Sequence, residues 1–413
     1  MSLHSSATYD RRRAALARRR QVRRRRIALL VAVLSLVWAA VALASDREGS
    51  GRAPGRTPRA ALSSLRGPAR DGGVAGVPPL LDSRDVYAAD RPGRLAAAVR
   101  GVPERVYVPN TRSDTVSVID PATFKVIGRF KVGRLPQHVV PSYDLRTLWA
   151  TNDYGNSLTP IDPRSGRPGT PVSVADPYNM YFTADGRFAI VVAEALERLD
   201  FRDAHTMRLR HSVHVSCQGV DHMDFSADGR FALASCEFSG QLLWVDVAHQ
   251  RLARVIRLGG GSMPQDVKLS PDGKSFYVAD KATGGVHVLD ARSLAPRRFI
   301  RTGSDAHGLS VSRDSRSLYV SNRGVGTVSV ISFAAQRVIA TWRIPGGGSP
   351  DMGGVSADGK VLWLAARYHS EVYALDTRTG RLLARIPVGL GPHGLAIFPQ
   401  PGRYSLGHTG VFR

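Results

Sequence analysis

The sequence predicts an all-β chain: a seven-bladed β-propeller with four-stranded blades, preceded by an N-terminal transmembrane or signal helix. Three observations predict it. A strand-like marker recurs seven times at an almost constant spacing, each period holds four strand-like segments, and an uncharged apolar run follows an arginine-rich start.

Ten arginines fall in the first 26 residues, and 18 uncharged residues follow, from Ile27 to Ala44. A run of that length suits a membrane-crossing helix. Arginines before it keep the leader in the cytoplasm and send the rest across. Ala42-Leu43-Ala44 has the small-x-small form of a cleavage site, so a retained anchor and a clipped, secreted protein both stay open. Residues 45–100 are rich in Gly, Pro, Ala and Arg without a sustained apolar period, which predicts a flexible tether. The expected organisation is a basic leader (1–26), a helix (27–44), that tether, a propeller (101–398) and a C-terminal tail (399–413).

The marker is a short strand ending in a polar or small residue. It begins at Tyr107, Trp149, Ile190, Leu233, Tyr277, Tyr319 and Trp363, with spacings of 42, 41, 43, 44, 42 and 44 residues. A second segment follows each one, as in VSVID (116–120), LERLD (196–200) and VYALD (372–376). A third follows that, and a fourth precedes the next marker, as in HVVPS (138–142) and HGLAIF (393–398). Asp-Gly pairs at 185, 228, 272 and 358 supply the positive φ that tight hairpins need. Four short strands in about 42 residues is the blade signature. The repeat begins at a second strand and ends on a lone innermost strand, 393–398. Seven complete blades therefore require that last strand to complete the first blade, which removes the open seam.

YVPN (107–110), YVSN (319–322), VSVID (116–120) and GLGPHG (389–394) closely resemble the motifs of the YVTN-repeat propellers over residues 105–398, least in the 190–200 repeat. The resemblance implies a seven-bladed, WD40-like propeller, often outside the cytoplasm. Its relatives include a cytochrome d1-type haem domain, amine dehydrogenase subunits and lactonases, so the fold alone selects no chemistry.

The topology brings His138, Asn179, His222, Asp266, His307 and His393 toward the axis on one face, where innermost strands begin. Asn110, Asn152, Glu194, Glu237, Asp280 and Asn322 should lie slightly farther out. Four converging imidazoles would suit a transition metal, and no other cofactor is singled out. The register argues otherwise: His138 and His222 stand four residues before Ser142 and Ser226, but His307 stands five before Ser312. His393 also stands five before Phe398. Side chains alternate along a strand, so the two sets need not point the same way. Hydrogen bonding between blades is the plainer expectation. Cys217 and Cys236, the only cysteines, should approach the same face of one blade and form a disulfide in an oxidising compartment. His205, His211 and His214 fall around an outer strand and should face solvent. The tail leaves by the opposite face, where Arg403, Tyr404 and His408 would cap the channel.

The net charge of +23 is divided between 20 Arg and 7 acids over residues 1–100 and 37 basic against 27 acidic residues beyond. The folded part is thus only mildly basic and shows no aromatic-basic interleaving, which disfavours a nucleic-acid partner. No haem-attachment, nucleophile-elbow, zinc-helix or P-loop motif occurs. The expectation is a membrane-tethered or secreted scaffold that binds an envelope protein, glycan or small ligand through one loop face. The alternative is an oxidoreductase-related or hydrolytic propeller with a metal or cofactor at the His-bearing channel mouth.

Overall fold

The computed structural model describes residues 75–408 and 411–413. The leader, the apolar run 27–44 and the tether as far as residue 74 lie outside them. Among the described residues no helix is long and apolar enough to cross a membrane. They form seven antiparallel sheets, the blades. Blade 1 is ordered Ala396–Phe398, Arg105–Asn110, Thr115–Asp120, Lys125–Lys131, so the C-terminal strand supplies its innermost position. Arg105, Val106 and Tyr107 pair with Phe398, Ile397 and Ala396. The ring closes as the phase of the repeat requires.

Blades 2 to 7 begin with the innermost strands Pro136–Pro141, Pro177–Phe182, Val220–Phe225, Pro264–Leu269, Ala306–Val311 and Pro350–Val355. Each second strand is a marker strand. Its residues are buried on both sides because it lies inside a sheet packed between two others, as in Phe188–Ala193 and Val361–Ala366. The outermost strands are more exposed, and two of them, Lys125–Lys131 and Arg337–Arg343, alternate strictly. Blade 2 breaks its outer strand into Arg167–Pro168 and Val172–Ser173, both paired with Ser157–Asp162. Pro168 and Pro171 lack the N–H donors an unbroken ladder would use. The seam between blades 7 and 1 is as apolar as the others, with Val106, Val108, Ile119, Trp363, Val372, Leu395 and Ile397 in one cluster.

Two boundaries differ from expectation. The third strand of blade 3 is Arg198–Asp203, not 196–200. Asp203 therefore matches Asp120 and Asp376, each of which accepts backbone N–H bonds from the turn that follows. Residues 76–100, expected to belong to a flexible tether, lie against the propeller. From 76 to 104 the chain runs across the face opposite the histidines, meeting the inner hairpin turns of blades 3 to 7 in order. Gly76 lies by Asp185, Val77 by Gly229, and Val86 donates to the Pro271 carbonyl at 2.8 Å. Asp90 pairs with Arg313, and Pro92 lies by Gly359. Val86, Tyr87, Val99 and Val102 are buried residues by which this arc packs on the blades. These isolated apolar residues carry no period, which is why composition alone reads as a linker.

Candidate functional site

The innermost strands share one irregularity that builds the axial site. In blade 2, Pro136 faces Asn152 and Val139 faces Ala150, three steps against two. The same extra residue occurs in blades 3 to 7. The closing strand repeats it: Tyr107 faces Ala396 while Asn110 faces Pro392, four steps against three. A bulge of this kind sets two residues opposite one and re-aims side chains. Two successive residues of each blade therefore approach the axis, in two tiers.

The offset in the histidine register is this two-tier layout. Tyr178, Asp221, His307, Asp351 and His393 form the first tier, with His138, Asn179, His222 and Asp266 in the second. The structure thus brings the four predicted histidines together. Ring centroids lie 5.4 Å apart for His138–His222, 4.9 Å for His138–His393, 6.2 Å for His222–His307 and 5.8 Å for His307–His393. In blade 1 the second-tier position is Gly394, where an added Cβ would stand 2.0 Å from His138 Cδ2. The glycine of the Pro-His-Gly step is there to admit its neighbour's imidazole.

Most of these groups also join blades. His138 Nδ1 lies 3.0 Å from the Tyr178 carbonyl. His307 Nδ1 and His393 Nδ1 lie 2.9 and 3.1 Å from the two oxygens of Asp351. Asp266 Oδ2 accepts the Leu309 N–H at 2.9 Å, and Oδ1 accepts from Lys268 Nζ within the same strand at 3.0 Å. His222 differs: its Nδ1 stands 3.1 Å from Asp221 Oδ1, and its Nε2 has no hydrogen-bond partner.

Burial lowers His138, His393 and His408 well below the ordinary imidazole value, and neighbouring positive charge adds to it, so these rings are neutral. Burial opposes protonation of His222 too, but the Asp221 carboxylate overrides it and raises that ring. Burial likewise opposes ionisation of Asp351, yet His307, His393 and the Arg323 guanidinium hold it well below the usual carboxylate range.

The tail, expected to cap the opposite end of the channel, goes further in. Tyr404 stacks on Tyr143 at 5.0 Å and Arg403 donates to the Pro79 carbonyl at 2.7 Å, both at that end. The chain then threads up the axis along the innermost strand of blade 3. Phe182 N–H donates to the Leu406 carbonyl at 2.9 Å, and His408 N–H to the Met180 carbonyl at 3.2 Å. The His408 ring ends 5.0 Å from His138 and 4.9 Å from His222, fully buried. No local sequence signal reports how deep a tail inserts.

Asn110, Asn152 and Asn322 are committed within their own blades. Each amide donates to two hydroxyls of the adjacent strand, Thr115 and Ser117, Ser157 and Thr159, or Thr327 and Ser329. Asp280 accepts from His287 Nε2 at 2.9 Å and from backbone amides. Glu237 pairs with Lys281 at 3.2 Å. Cys217 and Cys236 form the expected disulfide, with Cα atoms 6.0 Å apart. His205, His211 and His214 are exposed.

A groove of about 490 Å³ lies at the opposite face between blades 5 and 6, lined by Arg84, Tyr277, Arg297, Arg316 and Gln336. Arg297 and Arg316 already pair with Asp290 and Asp314, so the groove's positive charge is largely answered.

Residues 74–402 match the YNCE-like beta-propeller family. No curated protein matches the chain. Among solved structures, hydrazine synthase of Kuenenia stuttgartiensis is 18% identical, with TM-score 0.60, over 71% of this chain and 97% of that one. The periplasmic gluconolactonase PpgL of Pseudomonas aeruginosa is 20% identical, with TM-score 0.61, over 72% and 99%. The dihydro-heme d1 dehydrogenase NirN is 16% identical, with TM-score 0.55, over 80% and 83%. At such identities the likeness is one of fold.

Proposed function

The chain belongs to the YNCE-like β-propeller family, and from that premise we propose that it is a binding propeller held outside the cytoplasm. It engages an envelope protein, glycan or small ligand through the loops of its histidine-bearing face. One observation carries this reading. Tyr154, Leu196, Val325 and Leu390, at loop tips of that face, are 41, 37, 47 and 53% exposed. The opposite face carries the chain's own 76–104 arc and tail over its inner turns, whereas these tips stand on the face that neither segment crosses.

The rim inside the tips supports an oriented partner. The residue after each marker strand is Asp153, Glu194 and Glu237 on blades 2 to 4, then Lys281, Arg323 and Arg367 on blades 5 to 7. The sign of the rim thus changes across the mouth, although Glu237 pairs with Lys281 and Arg323 with Asp305, which reduces the charge left to meet a ligand. Placement outside the cytoplasm, as a single-pass membrane protein or clipped near Ala44, draws on the arginine leader, the apolar run and the disulfide.

The test compares full-length protein in detergent with a variant carrying Tyr154→Ser, Leu196→Ser, Val325→Ser and Leu390→Ser. Binding is measured to isolated envelopes and to their protein-free glycan. Affinity should fall at least roughly tenfold with the melting temperature unchanged. Equal binding by both proteins would sink the reading.

A second reading, the oxidoreductase-related or hydrolytic propeller, draws on the axial imidazoles. Burial weighs against it: His138, His222, His307, His393 and His408 are at most 3% exposed. The cavity beside His408 measures about 20 Å³, the room of about one water and not of an organic substrate.

A further inference from the structure

We propose that His138, His222 and His408 form a transition-metal site that clasps the C-terminal tail to blades 2 and 4. The site takes a divalent ion that favours neutral imidazole, such as Zn²⁺ or Cu²⁺. It is independent of the loop-face reading above.

One ring nitrogen from each of the three lies within 4.8 Å of the other two, and all three residues are fully buried. Three nitrogens at about 2.0–2.1 Å from a tetrahedral ion lie roughly 3.4 Å apart, so small ring rotations complete the set. On His138 and His222 one ring nitrogen orients the ring and the other has no hydrogen-bond partner. His138 turns Nδ1 to the Tyr178 carbonyl and leaves Nε2 buried without a partner. His222 sets Nδ1 against Asp221 and likewise leaves Nε2 without one. A carbonyl or carboxylate behind the far nitrogen is the usual support of a metal-bound imidazole. His408 meets Asn179 Nδ2 through Nδ1 at 3.1 Å, and its Nε2 stands 3.7 Å from Asp266 Oδ1. Asp221 would offset part of the charge of a divalent ion in this buried place, Asp266 being already paired with Lys268.

The backbone is bent to deliver the third ring. His408 has φ +42°, the left-handed conformation that turn residues of the blades, such as Asn156 and Asp305, also adopt. Gly407 before it has φ +90°, and an added Cβ would stand 2.5 Å from Tyr181 Cα.

The test uses the tag-free full-length chain, unfolded in chelator and refolded with Zn²⁺ or Co²⁺. One equivalent should be retained after dialysis, Co²⁺ should give the visible bands of a tetrahedral nitrogen site, and Zn²⁺ should raise the melting temperature. His408→Gln should lower affinity at least roughly a hundredfold and abolish that rise. His205→Gln/His211→Gln/His214→Gln, which removes three exposed imidazoles, should change neither. If His408→Gln does not fold, metal absorption spectroscopy of the unsubstituted protein decides: three imidazole ligands support the site and fewer overturn it. It is also overturned if the protein retains no metal, or if only the triple surface variant loses it.

Discussion

Gly389 and Asn110 occupy one contact: an added Cβ on the glycine would stand 2.6 Å from Asn110 Cγ. Gly133 meets Asn152 Cγ and Gly303 meets Asn322 Cγ in the same way, both at 2.8 Å. The asparagine closing a marker strand and the glycine opening the step into the next blade are thus two halves of one packing unit. Each asparagine is immobile because its amide already bonds two hydroxyls. Gly389→Ala should therefore lower stability by about 1–3 kcal/mol, the usual cost of overpacking. Gly259→Ala, where nothing lies within 4 Å, should be neutral within ~0.5 kcal/mol. Urea unfolding of both variants checks the contrast, and similar midpoints would remove the packing argument.

The disulfide joins positions 19 residues apart in blade 4. Closing a loop of that size restricts the unfolded chain by an amount worth ~3 kcal/mol. Cys217→Ser/Cys236→Ser should lose about that much, and reductant should destabilise the unsubstituted protein but not the variant. Thiol counting on protein from its native compartment should find no free cysteine. Two reactive thiols there would contradict the oxidising location.

Asp280 gives the fold a defined acid sensitivity. Burial opposes its charge, but His287 Nε2 and the N–H groups of Met263 and Thr283 prevail and hold its pKa down to about 2. An unfolded aspartate titrates near ~3.9. The folded value is the lower one, so the stabilisation is complete above ~4 and is lost as pH falls through about 2. Asp280→Asn should be less stable by about 1–2 kcal/mol at neutral pH. The gap should narrow below pH ~4 and nearly close by ~2. A gap that stays constant with pH would mean the carboxylate's charge is not the cause.

The blades were legible because a buried second strand and the Asp-capped turn after it recur with nearly the same residues. The one strand misplaced, at 198–203, lies where VVAEALERLD obscures the cap, and Asp203 rather than Asp200 takes its role. The axial histidines were legible as a set but not as an arrangement. Their four- and five-residue offsets record the bulge, yet only the pairing of Pro136 with Asn152 and Val139 with Ala150 shows that both sets turn inward. His408 and the arc over 76–104 were not legible. Their places depend on contacts with distant residues, Met180 and Pro271 among them, and no periodicity encodes those.

Arg413 joins the three parts that close the face opposite the histidines. Its guanidinium lies 3.4 Å from Asp224 Oδ1 in blade 4 and 4.7 Å above the Tyr87 ring in the 76–104 arc. Arg413 and Asp224 side chains are 2 and 0% exposed. Tyr87 completes the link by donating its hydroxyl to the Leu269 carbonyl at 2.9 Å in blade 5. Removing the guanidinium strands a buried carboxylate, which typically costs about 3–5 kcal/mol. Arg413→Met, which keeps most of the volume, should lose that much and expose the tail to protease. Asp224→Asn/Arg413→Met should recover part of the loss, because it removes the unpaired charge and keeps an acceptor for the Phe225 N–H, at the cost of the bond that Oδ2 now accepts from the Leu269 N–H. A coupling of at least ~1 kcal/mol in this double-mutant cycle identifies the pair as the clasp. Additive losses would instead assign the tail's hold to Tyr404, Leu406 and Phe412, which are buried in the apolar clusters beneath the disk.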